Sequence, residues 1–311
     1  MKVLVTGGSG MVGNCLQKII NDKKIINDKD NNEWIFISSK DCDLTDVNAV
    51  NILFKNICPS YVVHLAANVG GLYKNIREKT SIFRDNVRMN ENVLECCHKY
   101  NVQKGIFCLS SCIFPFEPVK FPMDITMIHN SPPHPSNEGY GYAKRMLEMQ
   151  CRNYNEQFNR QYMCIIPVNL YGPYDNFNLD DSHVIPGIIH RMYNSKKKNT
   201  DFIMYGTGSP LRQFIYSSDF AHIIIKIIES DRFFKEPLIC CNDEITIRDL
   251  TFLIAKLMDV DVNRIKNDLT KSDGSLVKTV SSDFEYKYTP IELGLIFTIE
   301  WFLNNYEKCR K

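Results

Sequence analysis

The sequence has almost no excess charge of either sign: 37 Lys and Arg stand against 36 Asp and Glu, a formal net charge of +1. No basic field points to nucleic acid, and no acidic tail points to a basic partner. Long hydrophobic runs are also missing. A bilayer span takes about 20 apolar residues, and no stretch approaches that. The opening run Met1-Lys2-Val3-Leu4-Val5-Thr6 is too short for a secretion signal, so a cytoplasmic protein is expected. Twelve cysteines are present, but none form a CxxC, and they are scattered apart from the adjacent pairs Cys96-Cys97 and Cys240-Cys241. Reduced thiols, mostly small core residues, are therefore expected rather than disulfides or zinc, and no metal site is expected.

What remains is the composition of an ordinary soluble globular chain, 44% apolar and 23% charged. The 311 residues suffice for one large α/β unit, or for a large and a small domain sharing a cleft. Lys2–Thr6, Trp34–Ser38, Tyr61–Leu65, Gly105–Ser110 and Tyr162–Val168 read as buried strands, being apolar runs without helical period. Between them, Ser81–Tyr100 and Tyr140–Phe158 have apolar residues at helical spacing. Such alternation predicts a parallel sheet covered on both faces. The segment Lys18–Glu33 holds a tandem hexapeptide, Lys18-Ile19-Ile20-Asn21-Asp22-Lys23 repeated as Lys24–Lys29, and reads as a surface insertion before the second strand. Phe114–Pro135 and Leu170–Pro186 read as long functional loops. The part after Asp243 reads as helix-rich, ending in a helix around Ile299–Lys308.

The first strand runs directly into Gly7-Gly8-Ser9-Gly10-Met11-Val12-Gly13, a GxxGxxG loop that opens a helix. Glycine permits the tight turn and a close approach of backbone to a pyrophosphate, and the helix amino terminus offers free N–H groups. The same pattern also serves as a plain glycine-rich turn; its place between strand and helix favours a dinucleotide site. The second strand ends Ile37-Ser38-Ser39-Lys40. It lacks the acidic residue that binds a ribose 2′-hydroxyl, while Ser39 and Lys40 suit a 2′-phosphate. Asp41 and Asp43 follow closely and temper that argument. Asp43 reads as lying near the adenine edge, and Lys40 also fits a solvated surface lysine.

Tyr140 and Lys144 are four residues apart, on one helical face. A nearby ammonium favours the phenolate, so Lys144 is expected to lower the tyrosine pKa. Such a pair can deliver a proton to a carbonyl oxygen as hydride reaches the carbon, and Ser110, about thirty residues earlier at a strand end, could bond the same carbonyl. His64 ends an apolar strand and reads as a packed structural histidine.

These motifs, with His64-Leu65-Ala66-Ala67, resemble the extended short-chain dehydrogenase/reductase superfamily. Ala66–Gly71, Ser110–Pro115, Asn169–Phe177, Ser182–Pro186 and Lys271–Gly274 resemble, more narrowly, the GDP-L-fucose synthase family along essentially the whole chain. That resemblance implies a Rossmann-type doubly wound parallel sheet with a smaller, mainly carboxy-terminal α/β substrate domain. Residues 1–170 and about 206–240 would bind NADP; about 171–205 and 241–311 would bind the GDP-sugar. It implies a homodimer, and epimerisation at C3 and C5 of GDP-4-keto-6-deoxy-D-mannose before NADPH-dependent reduction at C4. Ser110, Tyr140 and Lys144 would be the reductase set, with Cys112 and His183 as the acid/base pair. Gly7 to Gly13, Ala66, Lys144, Pro167, Asn169, Leu170 and His183 would meet the cofactor. Arg191, Tyr205, Arg212 and Asp273 would meet the GDP-sugar, with Tyr205 standing where the family usually carries tryptophan. A UDP-sugar 4-epimerase with retained NAD, and an NADP-binding regulator without turnover, remain alternatives.

The end of the second strand yields the first prediction. The catalytic efficiency kcat/KM is expected to be higher with NADPH than with NADH under one set of conditions. Equal values, or better use of NADH, would sink the 2′-phosphate argument.

Overall fold

The structure is a computed structural model, and it describes all residues except 26–31, 231 and 272. Five strands come first in the large sheet: β1 (Lys2–Thr6), β2 (Glu33–Ile37), β3 (Tyr61–His64), β4 (Lys104–Cys108) and β5 (Tyr162–Pro167). Further along lie β6 (Asn169–Tyr171), β7 (Phe202–Tyr205), β8 (Leu211–Tyr216) and β9 (Leu238–Cys240). The last two strands are β10 (Glu244–Thr246) and β11 (Ile265–Asp268). Among the described residues the large sheet is six-stranded, ordered β2-β1-β3-β4-β5-β9, and every pairing in it is parallel. The predicted doubly wound sheet is therefore present. β1 and β5 are buried almost throughout, which is why their sequences are unbroken apolar runs.

Helices α1 (Met11–Ile25) and α7 (Ser217–Glu229) pack together as one layer. Helices α2 (Val47–Ile57), α4 (Lys79–Lys99) and α5 (Glu138–Phe158) pack together as another. The short α3 (Leu72–Arg77) precedes α4. Strand order reverses between β1 and β3, because β1 has β2 on one side and β3 on the other. Ligands of open α/β sheets bind beyond the carboxyl ends of the strands at such a reversal.

A second hydrophobic cluster gathers α6 (Val184–Lys198), α8 (Ile247–Leu257) and α9 (Ile291–Asn304). The sheet β10-β8-β6 and the pair β11-β7 complete that half. Phe214 belongs to this second cluster, whereas its neighbour Ile215 belongs to the first.

Three expectations need correction. The segment from Lys18 to Ile25 continues α1 rather than leaving the surface, with Ile20 buried in the core. The rest of the repeat, residues 26–31, lies outside the described residues. The last helix spans Ile291–Asn304, not Ile299–Lys308. It is apolar on nearly every side, so its start has no stripe to mark it. The part after Asp243 is less helical than expected: β10 and β11 lie within it, and the described residues of 269–290 contain no helix. Among the described residues no helix is long and apolar enough to cross a membrane.

His64 ends β3 fully buried. Its Nε2 bonds Asn90 Oδ1 at 3.1 Å, so it carries the proton there, and Nδ1 accepts from the Thr6 hydroxyl at 2.7 Å. Burial, then the Lys144 charge, push its pKa down to about 3. It is the neutral structural histidine the sequence suggested. The unfolded chain gains a proton near pH 6.5, whereas the folded chain resists until about 3. Stability should therefore fall as pH drops through that window, by up to about 1.4 kcal/mol per pH unit from this group. His64→Phe should lower stability overall, because Thr6 and Asn90 lose a partner, yet show a shallower slope. Denaturant midpoints measured between about pH 7 and 4 check this; parallel curves would refute it.

Candidate active site

A cavity of about 1140 Å³ opens at the strand-order reversal and runs to the second cluster. Its floor is the glycine loop. Gly7 has φ +71, and a Cβ there would lie 2.8 Å from the Ala66 nitrogen, so only glycine lets the β1 and β3 ends close up. A Cβ on Gly13 would drive into the Gly7 and Gly8 carbonyls. Gly8 is pinned by its N–H to the Ile37 carbonyl at 2.8 Å. Gly7, Ser9, Gly10, Met11, Val12 and Gly13 line the cavity at the start of α1; Gly8 does not. Helix-terminal amides beside a loop whose Gly7, Gly8 and Gly13 admit no side chain fit a diphosphate.

Beyond β2, Ser39 and Asp43 line the cavity, while Lys40 is exposed and lies off it. Asp41 is turned away. Its carboxylate accepts from the Ser38 N–H at 2.8 Å and from the Ser38 hydroxyl at 2.7 Å, which holds its pKa below the usual range. Asp43 accepts from the Thr45 N–H and hydroxyl, with the same effect.

The opposite wall is built on β4 and α5. Ser110 caps a 3-10 turn over Ser111–Ile113, its hydroxyl accepting from the Cys112 N–H at 3.2 Å. Tyr140 and Lys144 lie one helical turn apart on the buried face of α5. Lys144 Nζ donates to the Cys108 carbonyl at 2.7 Å and sits 5.8 Å from the Tyr140 ring centre. The expected lowering of the tyrosine pKa is not found. Burial dominates, followed by Cys108 and Cys112, and pushes the Tyr140 phenol well up. Burial likewise pulls the Lys144 ammonium down. Tyr140 is thus held as a proton donor, which is the form that quenches an alkoxide.

Cys112 and His183 line the same cavity from different elements. Cys112 Sγ accepts from Asn137 Nδ2 at 3.0 Å and from Lys278 Nζ at 3.3 Å. His183 is exposed at the amino terminus of α6. Asp175 is 4% exposed, its Oδ2 has no hydrogen-bond partner, and burial raises its pKa against the opposing charge of His183. The loop carrying His183 is tied across the cavity. Gly71 N–H donates to the Asp181 carbonyl at 2.9 Å, and Arg77 pairs with Asp181 at 2.8 Å. Asn75 holds the Gly70 and Gly71 carbonyls, and Asn86 holds the Asn68 carbonyl. The Ala66–Gly71 motif is thereby a fixed strap.

Pro167, Asn169 and Leu170 line the cavity where β5 passes into β6, and Asn169 Nδ2 donates to the Gln213 carbonyl at 2.9 Å. At the far end stand Arg191, Tyr205, Arg212 and Asp273. The Arg191 guanidinium lies 4.4 Å from the Tyr205 ring centre, and its buried Nε has no partner. Arg212 donates to the Leu211 carbonyl at 2.8 Å and to the Ser275 carbonyl at 2.6 Å. Asp273 accepts from the Thr207 N–H and hydroxyl, both at 2.8 Å. Ser272 of the same motif lies outside the described residues.

Every catalytic residue named from the sequence therefore reaches one cavity, as do the four sugar-side residues. Lys278, Asn137 and Asp175 were missed. Asp175 sits inside a quoted motif and Lys278 four residues past another, but neither position carries a signal of its own. Among the described residues, no group of three or more His, Cys, Asp or Glu is arranged to hold a metal.

The NAD dependent epimerase/dehydratase family matches residues 3–239. A GDP-L-fucose synthase of Dictyostelium discoideum is 44% identical, over 99% of this chain and 97% of its own length. A probable GDP-L-fucose synthase of Drosophila melanogaster is 40% identical over 100% of this chain and 99% of its own. A crystal structure of a GDP-L-fucose synthetase from Naegleria fowleri bound to NADP superposes with a TM-score of 0.91, at 40% identity, covering 100% of this chain and 95% of that one. With both the motifs and the cavity they build in place, the chain belongs to the NAD dependent epimerase/dehydratase family and, within it, to the GDP-L-fucose synthases.

Proposed function

We propose that this enzyme epimerises GDP-4-keto-6-deoxy-D-mannose at C3 and C5 and then reduces the C4 ketone, giving GDP-L-fucose. The observation that carries the reading is that Cys112 and His183 share one cavity with Ser110, Tyr140 and Lys144. A plain ketoreductase needs only the last three. The relatives bear fucose-synthase names, which also favours this reading over a UDP-sugar 4-epimerase. The intact Ser110, Tyr140 and Lys144 set argues against a regulator without turnover. Residues 1–170 with about 206–240 form the cofactor side in this reading. Residues of about 171–205 and 241–311 form the sugar side, although β8, inside the cofactor-side range, also gives Phe214 to the second cluster. A homodimer and a cytoplasmic location belong to the same reading; sedimentation analysis tests the first and fractionation the second.

The glycine loop and the α1 amino terminus would hold the NADP diphosphate, with Ser39 at its ribose and Pro167, Asn169 and Leu170 at its nicotinamide. Bound NADPH supplies the hydride that reaches C4. Arg212 and Arg191 suit the diphosphate of the sugar nucleotide, because a guanidinium binds two oxygens at once.

The chain's own groups do the rest. C3 and C5 are both α to the C4 ketone, so polarising that carbonyl acidifies their protons. Ser110 and Tyr140 hydroxyls bond the C4 oxygen. The Cys112 thiolate takes the proton from carbon, and the electron pair moves to oxygen as an enolate. His183 returns a proton to the opposite face, and solvent resets both groups before the second carbon. In the reduction, the Tyr140 phenol gives its proton to the nascent alkoxide, and Lys144 stabilises the resulting phenolate.

Two variants separate the steps. Tyr140→Phe is expected to lose reduction by roughly 10²–10⁴-fold while keeping cofactor affinity, as removal of a positioned proton donor does. A variant that reduces at nearly the normal rate would give Tyr140 another role. Cys112→Ser is expected to lose epimerisation yet still reduce the unepimerised ketone. Proton exchange at C3 and C5 in D₂O, with stereochemical analysis of the product, reads both. Exchange at the wild-type rate would remove Cys112 as the base.

A further inference from the structure

We propose that Lys278 is a positioning residue for epimerisation, holding the Cys112 sulfur as a thiolate aimed at the sugar ring. This rests on the reading of Cys112 as the base. Both side-chain hydrogen bonds at the sulfur are donated to it, from Asn137 Nδ2 at 3.0 Å and Lys278 Nζ at 3.3 Å. Hydrogen bonds donated to a sulfur favour its thiolate over its thiol. Of the two donors only Lys278 carries charge, and an adjacent ammonium is one of the environments that make a cysteine nucleophilic and basic.

The lysine is not a loose surface side chain that has swung in. Its backbone is fixed on both sides. Leu211 N–H donates to the Leu276 carbonyl at 2.8 Å, and Leu211 bridges Val277. Met123 bridges Val280, its N–H donating to the Thr279 carbonyl at 2.9 Å. The buried Gln213 side chain donates to the Val280 carbonyl at 3.0 Å and accepts its N–H at 2.8 Å. Residues 277–280 are thereby tied to β8 and to the loop that continues from Cys112. A strand-like anchor with no helix of its own carries one cation to one sulfur.

Other charged groups face the same place. Arg212 from β8 also lies near Cys112, but its hydrogen bonds go to the Leu211 and Ser275 carbonyls and not to the sulfur. His134, from the loop before α5, lies near both Lys278 and Arg212, and burial holds it toward the neutral form. Tyr140 of α5 senses Cys112 and is kept protonated. Lys144 is turned to the Cys108 carbonyl. Asp273 lies near Arg212 and is held by Thr207. Among these, Lys278 alone donates a charged hydrogen bond to the sulfur.

The test compares the full-length wild-type enzyme with Lys278→Met and Lys278→Arg. Alkylation of Cys112 by iodoacetamide is followed across pH by mass spectrometry of its peptide. The midpoint is expected to rise by about one pH unit in Lys278→Met and by less in Lys278→Arg. Exchange at C3 and C5 should slow by roughly tenfold near neutral pH, as a one-unit shift implies. It should slow more than the oxidation of GDP-L-fucose by NADP. An unchanged alkylation midpoint in Lys278→Met overturns the proposal. A rise in KM for the GDP-sugar at an unchanged midpoint also overturns it and makes Lys278 a substrate ligand. A raised midpoint with unaltered exchange also overturns the role in epimerisation, and removes Cys112 as the base.

Discussion

Strand β8 is the constraint on which the rest depends, because it is built into both hydrophobic cores. Phe214 faces one and Ile215 the other, so a single peptide unit joins them. The strand pairs with β6 on one side and β10 on the other. It places Arg212 in the cavity, and its Gln213 fastens residue 280 by side chain and residue 169 by carbonyl. Ser217 follows at once and starts α7, which packs on the helix of the glycine loop. Asn169, Arg212 and the segment that carries Lys278 are thus set by one strand. Reactions of this kind depend on near-attack geometry, and placement errors near 1 Å are costly. A rigid shared strand supplies that placement better than two domains joined by loops.

The site also separates two kinds of proton transfer by environment. Tyr140 and Lys144 are buried on the inner face of α5, where low polarity keeps the phenol protonated and disfavours the ammonium. In the proposed reading the phenol therefore keeps its proton until the alkoxide forms. Cys112 lies at the cavity wall with two donors at its sulfur. In the proposed reading one group serves as an acid and the other as a base within the same space. Setting two titratable groups in opposed environments is the general way one site runs acid and base chemistry at one pH. The sequence suggested that Lys144 would act on the tyrosine directly; desolvation outweighs that because both side chains are buried.

How much of this was legible follows from where the determinants lie. The first five strands were readable because they are parallel apolar runs, four of them largely buried and β2 half-buried at the sheet edge. The glycine loop, Ser110, and the Tyr140–Lys144 pair were readable because local spacing alone dictates their geometry. The second half was harder. β6 and β10 are three residues each, and β7 alternates buried and exposed residues over only four. α9 is apolar almost all round and offers no stripe, so its start at Ile291 was missed. Repeated sequence at Lys18 suggested an insertion, whereas Ile20 packs as an ordinary helical core residue. Lys278 was out of reach for a different reason. Its contact with Cys112 spans 166 residues and depends on isolated bridges to Leu211 and Met123 that no local pattern announces.

The position of Tyr205, where the family usually carries tryptophan, can now be argued from contacts. Its ring is not an open platform. Arg191 lies 4.4 Å from its centre and Lys271 5.7 Å, so two cations already use the aromatic face. Tyrosine, like tryptophan, offers a negative face to a cation, though the smaller ring holds it less strongly. What the ring preserves is the placement of the Arg191 guanidinium, which is otherwise underused: its Nε is buried without a partner. Burial also disfavours its charge, so an anion arriving there would relieve both the missing hydrogen bond and the desolvation. In the proposed reading that anion is the diphosphate of the sugar nucleotide. The exchange of tryptophan for tyrosine then costs some cation–π attraction but leaves the arginine aimed into the cavity, which is the part of the contact that substrate binding requires.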